Sequence, residues 1–199
     1  MNWQELDEFV ATMTHWTEVQ QHLEDIGAQR SASARLVDFR QPHLAGDRLL
    51  LPNGPGREQS SDGEIDLSVT LDDDGCYTLR KTGYERNDTF TDQPEWRAST
   101  FELVGKYVLV KKNSAFRWKI GAPNAYHRWL DRGLAPQWTK EHLTREESGV
   151  DWMYKFTDTS ADNTFYFDYE NGDPLTFPFS MSYADITTCL LYTSPSPRD

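Results

Sequence analysis

Apolar residues recur every three or four positions through the first 26 residues. They are Trp3, Leu6, Phe9, Val10, Met13, Trp16, Val19, Leu23 and Ile26. This spacing is typical of one face of an amphipathic helix, because 3.6 residues make one turn. Asn2 and Glu5 form a capping-box pattern at the start, and Gly27 suits the left-handed position after the end. The sequence therefore predicts a helix over residues 2–26.

Strict alternation of apolar and polar residues predicts two antiparallel hairpins further along the chain. The first joins the alternating runs 65–71 and 76–84 through an acidic turn. The second, within 151–169, joins the run that starts at Trp152 to the run that starts at Phe165. A period of two is the pattern of a strand with one buried face.

A helix is predicted after each hairpin. Ser99 and Glu102 have capping-box spacing, so a helix should start after Ser99 and end between Lys112 and Ile120. We interpret the residues between the first hairpin and Ser99 as a polar link, and we expect 176–179 to be extended. Ser180 or Ser182 is placed to cap the last helix. The fold class is α+β, with an N-terminal helix, two antiparallel hairpins each followed by a helix, and a single sheet with helices packed on one face.

The last eleven residues, 189–199, resemble the in-frame translation of a transposase adapter used to build sequencing libraries. We therefore expect a single α+β domain over 1–188, truncated at its C-terminus, followed by a non-native tail. Without that tail, Cys76 is the single cysteine, which excludes an internal disulfide and a thiolate metal site.

The net charge of −12, from 20 basic and 32 acidic residues, excludes several classes of protein. A non-specific nucleic-acid binder needs lysine and arginine against phosphate, and an anionic membrane surface also repels an acidic chain. We find no run of about 18 apolar residues and no basic N-terminal leader. The predicted location is the cytoplasm, with no nucleic-acid or membrane partner.

The sequence shows no catalytic motif and predicts no cofactor, no metal and no catalytic residue. The five histidines lack metal spacing, and we expect Cys76 to be a buried structural thiol. The turn Asp72-Asp73-Asp74 could hold a divalent cation, but a solvated hairpin turn needs no such ion, and we favour that interpretation.

Charge is unevenly distributed along the chain. Residues 62–74 contain six acids and no base, and 151–173 contain six acids and one base, whereas 106–119 is basic. This pattern serves either solubility or the steering of a basic protein partner. The tryptophans of 118–138 stand near arginines, a composition found both in cores and at the energetic centres of interfaces.

Two segments resemble an immunity-protein family of bacterial polymorphic toxin systems. They are Asp-Asp-Asp-Gly-Cys-Tyr-Thr-Leu-Arg-Lys-Thr-Gly-Tyr-Glu-Arg at 72–86 and Phe-Glu-Leu-Val-Gly-Lys-Tyr-Val-Leu-Val at 101–110. The family has a hairpin that ends in a Glu-Arg pair, then a helix with an arginine near its exit, here Arg117. Similar proteins neighbour toxins of the necrotizing NAD-glycohydrolase type.

This resemblance implies a non-catalytic immunity protein, a monomer before complex formation, that binds a cognate protein toxin and occludes its active site. Its predicted anchors, followed by its predicted steering or rim groups, are Arg117, Trp118 and Trp129, then Asp72, Asp73, Asp74 and Glu85. The alternative is a small-ligand or metal-dependent enzyme whose catalytic residues lie partly in a missing C-terminal segment.

Overall fold

A computed structural model of the chain describes residues 6–29, 31, 38–52, 65–85, 88–144 and 153–191. In this part of the chain eight strands form one antiparallel sheet, in the order β1-β2-β3-β4-β5-β8-β7-β6. The strands are β1 (His43–Ala45), β2 (Arg48–Leu51), β3 (Ile65–Leu71), β4 (Tyr77–Glu85), β5 (Asp88–Ala98), β6 (Trp138–His142), β7 (Tyr154–Asp158) and β8 (Phe165–Asp168).

Helices cover one face of this sheet, which confirms the α+β prediction. The helices are α1 (Leu6–Asp25), α2 (Phe101–Lys119), α3 (His127–Leu130), a 3-10 helix (Glu170–Leu175), α4 (Thr176–Phe179) and α5 (Tyr183–Leu191). No helix among the described residues is both long and apolar enough to cross a membrane.

The helix at the N-terminus agrees with its predicted pattern. Phe9, Met13 and Trp16 are buried along one face of α1. After the helix, Gly27 adopts a φ of 66°, and the Ala28 amide donates to the Leu23 carbonyl at 2.8 Å. Such a bond satisfies a carbonyl that the end of the helix leaves without a partner, and glycine adopts this φ without strain. The first five residues lie outside the described part of the chain.

Both predicted hairpins are present, but the polar link of the prediction is wrong because these residues form β5. This strand pairs with β4 on one side and with β8 on the other. Most of its side chains are exposed or half-buried, and only Trp96 and Ala98 are buried, so little apolar alternation marks it. Pro94 lies where the register with β4 shifts, at a position where a strand tolerates a missing amide hydrogen.

The cap of α2 differs from the prediction by one residue. Thr100 is the N-cap, and its hydroxyl accepts from the Leu103 amide at 3.3 Å. Ser99 instead accepts from the Phe165 amide at 2.8 Å and so fastens β8 to the start of α2. A hydroxyl that has a partner on a neighbouring strand is not available to the helix end.

The last part of the chain contains one wrong and one confirmed prediction. Residues 176–179, expected to be extended, form the helical turn α4 directly after the 3-10 helix. Ser182 does cap the last helix, since its hydroxyl accepts from the Asp185 amide at 3.1 Å. That helix, α5, includes residues 189–191, the first three of the segment that resembles an adapter, while 192–199 lie outside the described residues.

Helix α2 lies at the centre of the packing between the sheet and the other helices. Twelve of its 19 residues are buried. Gly105 marks its closest approach to its neighbours, because a Cβ there would meet the Tyr183 hydroxyl and would lie 2.9 Å from Cδ2 of Phe9. Helices α1 and α5 therefore pack this closely against α2 only because residue 105 has no side chain.

We predict that Gly105→Ala destabilises the protein. Alanine gains about 1 kcal/mol over glycine in a helix, but overpacking costs about 1–3 kcal/mol. We expect a net loss of up to about 2 kcal/mol in the free energy of unfolding, measured by urea denaturation. Tyr183→Phe should partly restore stability in the double variant, because it removes the hydroxyl that the new methyl group meets. Losses that simply add would contradict this explanation.

Candidate functional site

One narrow stripe of α2 remains accessible to solvent. Lys111, Ala115 and Trp118 are exposed, and Tyr107 and Ser114 are half-buried. These positions repeat at three or four residues, so they lie on the same side of the helix and span about 16 Å along its axis. We call these five residues the α2 stripe. It is the part of the central helix that a partner could contact.

A groove runs along this stripe. Two cavities of about 510 and 330 Å³ share Tyr107, Lys111, Asp168 and Tyr169 in their linings, so they adjoin. The larger cavity extends towards β5, and the smaller one extends towards the 3-10 helix. We call the two together the α2 groove. A concave site of this size beside an accessible helix face is the usual form of a binding site.

Asp168, the last residue of β8, brings a half-buried carboxyl group into this groove. Its Oδ2 accepts from the Trp96 indole at 3.2 Å, and its Oδ1 accepts from the Tyr169 amide at 2.7 Å. Burial raises the pKa of Asp168 to about 6, although these two bonds and the charge of Lys140 act in the opposite direction. Asp168 therefore carries a negative charge at neutral pH and loses it in mild acid.

Close packing fixes the position of Asp168. A Cβ on Gly172 would lie 2.9 Å from Cβ of Asp168 and 3.0 Å from the Phe156 ring, so only glycine fits there. The Trp96 ring stacks on Tyr107 with 4.4 Å between centroids. The carboxyl group and its indole donor are therefore held before any ligand arrives.

Three tyrosines surround Asp168 in the groove. Tyr107 and Tyr126 are half-buried, and Tyr169 is 51% exposed. Burial, reinforced by the charges of Asp168 and Asp173, raises the pKa of Tyr126 to about 12. Burial and Asp168 raise the pKa of Tyr107 as well. These two phenols thus stay neutral and offer their ring faces to a ligand.

Lysines of α2 line the larger cavity, and one of them, Lys111, lines the smaller cavity as well. Lys111 on the stripe forms an ion pair with Glu95 of β5. Lys112 is buried, and its ammonium donates to the Asp38 carbonyl at 2.8 Å. Burial lowers the pKa of Lys112 to about 8. Lys119 pairs with the Asp38 carboxylate at 2.6 Å, so the lysines here join α2 to neighbouring segments.

Among the three predicted anchors, the structure leaves only Trp118 on the surface. Trp118 is 64% exposed at the end of the α2 stripe. Arg117 is 5% exposed and donates to the Pro123 and Leu190 carbonyls, and Trp129 is 2% exposed in the core. A partner cannot reach two side chains that are already covered, so neither Arg117 nor Trp129 is available as an anchor.

The acidic turn forms its own local network, and none of its residues lines the α2 groove. Asp72 accepts from Thr70, Thr78 and Arg80. Burial acts to raise the pKa of Asp72, but these bonds outweigh it and hold the pKa below its usual range. Asp74 pairs with Arg97, which lowers the pKa of Asp74 in the same way.

The two other predicted rim residues, Asp73 and Glu85, are not among the residues described in this network. Asp73 is exposed, so it is the turn residue best placed to attract a partner over distance. The side chain of Glu85 lies outside the described part of the structure.

Across the described residues no group of three or more histidines, cysteines or acids is arranged to hold a metal ion. Cys76 is buried, as expected, and burial raises the pKa of its thiol.

The sequence prediction missed the groove itself. The signal that could have indicated it is an interruption of the apolar pattern of α2 by Lys111 and Ser114, which share one helix face. Asp168 had no comparable signal, because an acid at the end of a strand is common in turns. Only the fold brings it beside α2.

We predict that Asp168→Asn changes how stability depends on pH. The folded pKa of about 6 lies above the ordinary 3.8, so wild type gains stability as pH falls through this window. Asparagine cannot titrate, so acidification from about pH 7.5 to 4 should favour wild type over the variant by up to about 3 kcal/mol. Urea denaturation at a series of pH values measures the difference. A difference that stays constant with pH would contradict a buried, titrating Asp168.

Comparisons with known proteins place the fold. No protein-family model matches the sequence. No curated protein matches it either. The solved structure of Rv3902c from M. tuberculosis is similar, with 15% identity over 86% of this chain and 94% of that chain and a TM-score of 0.56. At this level of identity the likeness shows that the two chains share a fold.

Proposed function

We propose that this chain is a non-catalytic immunity protein that binds a co-encoded bacterial toxin through the α2 groove and occludes its active site. The observation that supports the proposal most is the α2 stripe, where the exposed Trp118 continues the line of a preformed groove. Exposed tryptophan beside charged residues is the composition of interface centres. The resemblance of 72–86 and 101–110 to an immunity family supplies the class of partner.

The chemistry of the groove favours recognition over catalysis. The phenols of Tyr107 and Tyr126 stay neutral, and Asp168 is held by an indole and an amide donor. Lys111 is paired with Glu95. Groups fixed in this way can orient a partner, whereas a nucleophile needs a neighbouring base that activates it. A stable complex would bury about 1,200–2,000 Å², more than the groove alone provides, so the surrounding surface must take part.

One observation favours an enzyme as a second candidate. Asp168 combines a raised pKa with a place in the larger cavity, and perturbed carboxyl groups in clefts are common in active sites. An enzyme of this kind would act on a small ligand and would use Asp168 as a general base.

Co-expression with the product of the neighbouring gene tests the proposal. We expect the neighbour alone to stop growth, and the pair to grow and to purify as a stoichiometric complex. Asp168→Asn should reduce protection only as far as it weakens the complex, because an immunity protein needs no proton transfer. Protection that is lost in this variant while the complex persists would favour the enzyme. If the neighbouring gene product does not stop growth when expressed alone, it is not a toxin, and this would contradict the proposed function.

Two tryptophans provide a matched pair of variants. Trp118→Ala should weaken the complex by about 30-fold or more, since truncating an interface anchor costs about 2 kcal/mol or more. Its unfolding midpoint should stay near wild type, because the side chain is 64% exposed. Trp129→Ala should instead lower the free energy of unfolding by about 3–5 kcal/mol. Titration calorimetry and urea denaturation measure the two effects. Unchanged affinity in Trp118→Ala would place the interface elsewhere.

A further inference from the structure

The smaller cavity of the α2 groove brings one carboxylate and three tyrosines together. We propose that this site, formed by Asp168 with Tyr107, Tyr126 and Tyr169, binds a positively charged side chain of the partner, an arginine guanidinium above all. The inference deepens the proposed function, on which it rests for the identity of the partner as a protein. The pocket itself can be tested without any partner.

The charge balance within the groove supports the assignment. Two other acids line the groove, and each has a lysine: Glu95 pairs with Lys111, and Asp38 pairs with Lys119. Asp168 forms no ion pair within 4 Å among the described residues. Its hydrogen-bond partners there are the neutral Trp96 indole and Tyr169 amide. A half-buried carboxylate whose hydrogen-bond donors are neutral, and which feels the charge of Lys140 only through space, is stabilised further when a cation reaches it.

The carboxylate also has room for further hydrogen bonds. Each carboxylate oxygen accepts about two bonds, and each oxygen of Asp168 uses one on the donors named above. A guanidinium group presents two parallel N–H donors at the spacing of the two oxygens. Lysine offers a single point charge and loses this match, so arginine is the better ligand.

The three tyrosines of the site also attract the positive charge of a guanidinium group. Aromatic ring faces attract cations within about 6 Å, and a planar guanidinium also stacks on them. Tyr107 is held by stacking on Trp96, and the Tyr126 hydroxyl donates to the Asn171 carbonyl at 3.0 Å. Tyr169 is half exposed beside them, so it can close over a side chain that enters. Preformed sites of this kind lose little entropy on binding.

The position of the site indicates a protein side chain as the ligand. Tyr107 and Lys111 belong both to the cavities and to the α2 stripe, which continues to the exposed Trp118. A surface that covers Trp118 would therefore cover the mouth of the groove. The net charge of −12 also favours a partner that is basic where it makes contact.

NMR titration of the full chain with N-acetyl-arginine methylamide tests the pocket directly. The indole N–H resonance of Trp96 is the readout, because that group donates to Asp168. We expect a saturable shift with an affinity on the order of millimolar, as is usual for one side chain alone. The neutral citrulline analogue, which has the same shape, should leave the resonance unchanged at equal ionic strength.

Two variants separate the site from general effects. Tyr169→Ala should weaken arginine binding about two- to fivefold, whereas Tyr84→Ala removes another exposed tyrosine outside the groove and should leave it unchanged. Asp168→Asn should abolish the response. An equal response to citrulline, or no response to arginine, would overturn the proposal. If the chain binds arginine but protects against no toxin, the arginine site is supported and the immunity function is refuted.

Discussion

The structure depends on the burial of three cations of α2 against main-chain carbonyls. Lys106 donates to the Phe179 carbonyl at 3.0 Å, and Lys112 donates to the Asp38 carbonyl at 2.8 Å. Arg117 donates to the Leu190 carbonyl. Phe179 and Leu190 lie at the C-terminal ends of α4 and α5, where carbonyls have no partner within their own helix and carry partial negative charge.

Burial of these cations has two consequences. A buried ammonium loses its hydration, which is why the pKa of Lys112 falls to about 8, and the carbonyl bond offsets only part of that cost. In return, one helix fixes both α4 and α5 and the segment at Asp38. Because twelve of the 19 residues of α2 are buried, its three exposed residues, Lys111, Ala115 and Trp118, all lie in the stripe between the sheet and the 3-10 helix. The location of the groove thus follows from the packing of the core.

The regular elements could be predicted from sequence because their apolar periods are strong. The periods of α1 and of both hairpins indicated these elements, since each buries one face against the same core. The strands β5 and β6 were not predicted. They pair with strands that are distant in sequence, and few of their side chains are buried. Local pattern carries no signal for such pairing.

The candidate site was less predictable for a related reason. Composition cannot separate Trp118 from Trp129, although the first is 64% exposed and the second is 2% exposed. Nor can it separate Lys111 on the stripe from Lys106 and Lys112 in the core, so the basic character of α2 gave a false impression of a charged surface. Helical phase would have separated the two groups of lysines. The place of Asp168 needed the sheet order, because β8 lies beside β5.

We propose that a protein partner binds along α2 and β8. Hydrogen–deuterium exchange of the chain, free and with the product of the neighbouring gene, tests it most directly. We expect a complex in which slowed exchange is concentrated in 107–118 and 165–171, while β1 and β2 at the far edge of the sheet exchange as before. Protection confined to α1 or to the edge β1–β2, with the groove unchanged, would contradict it.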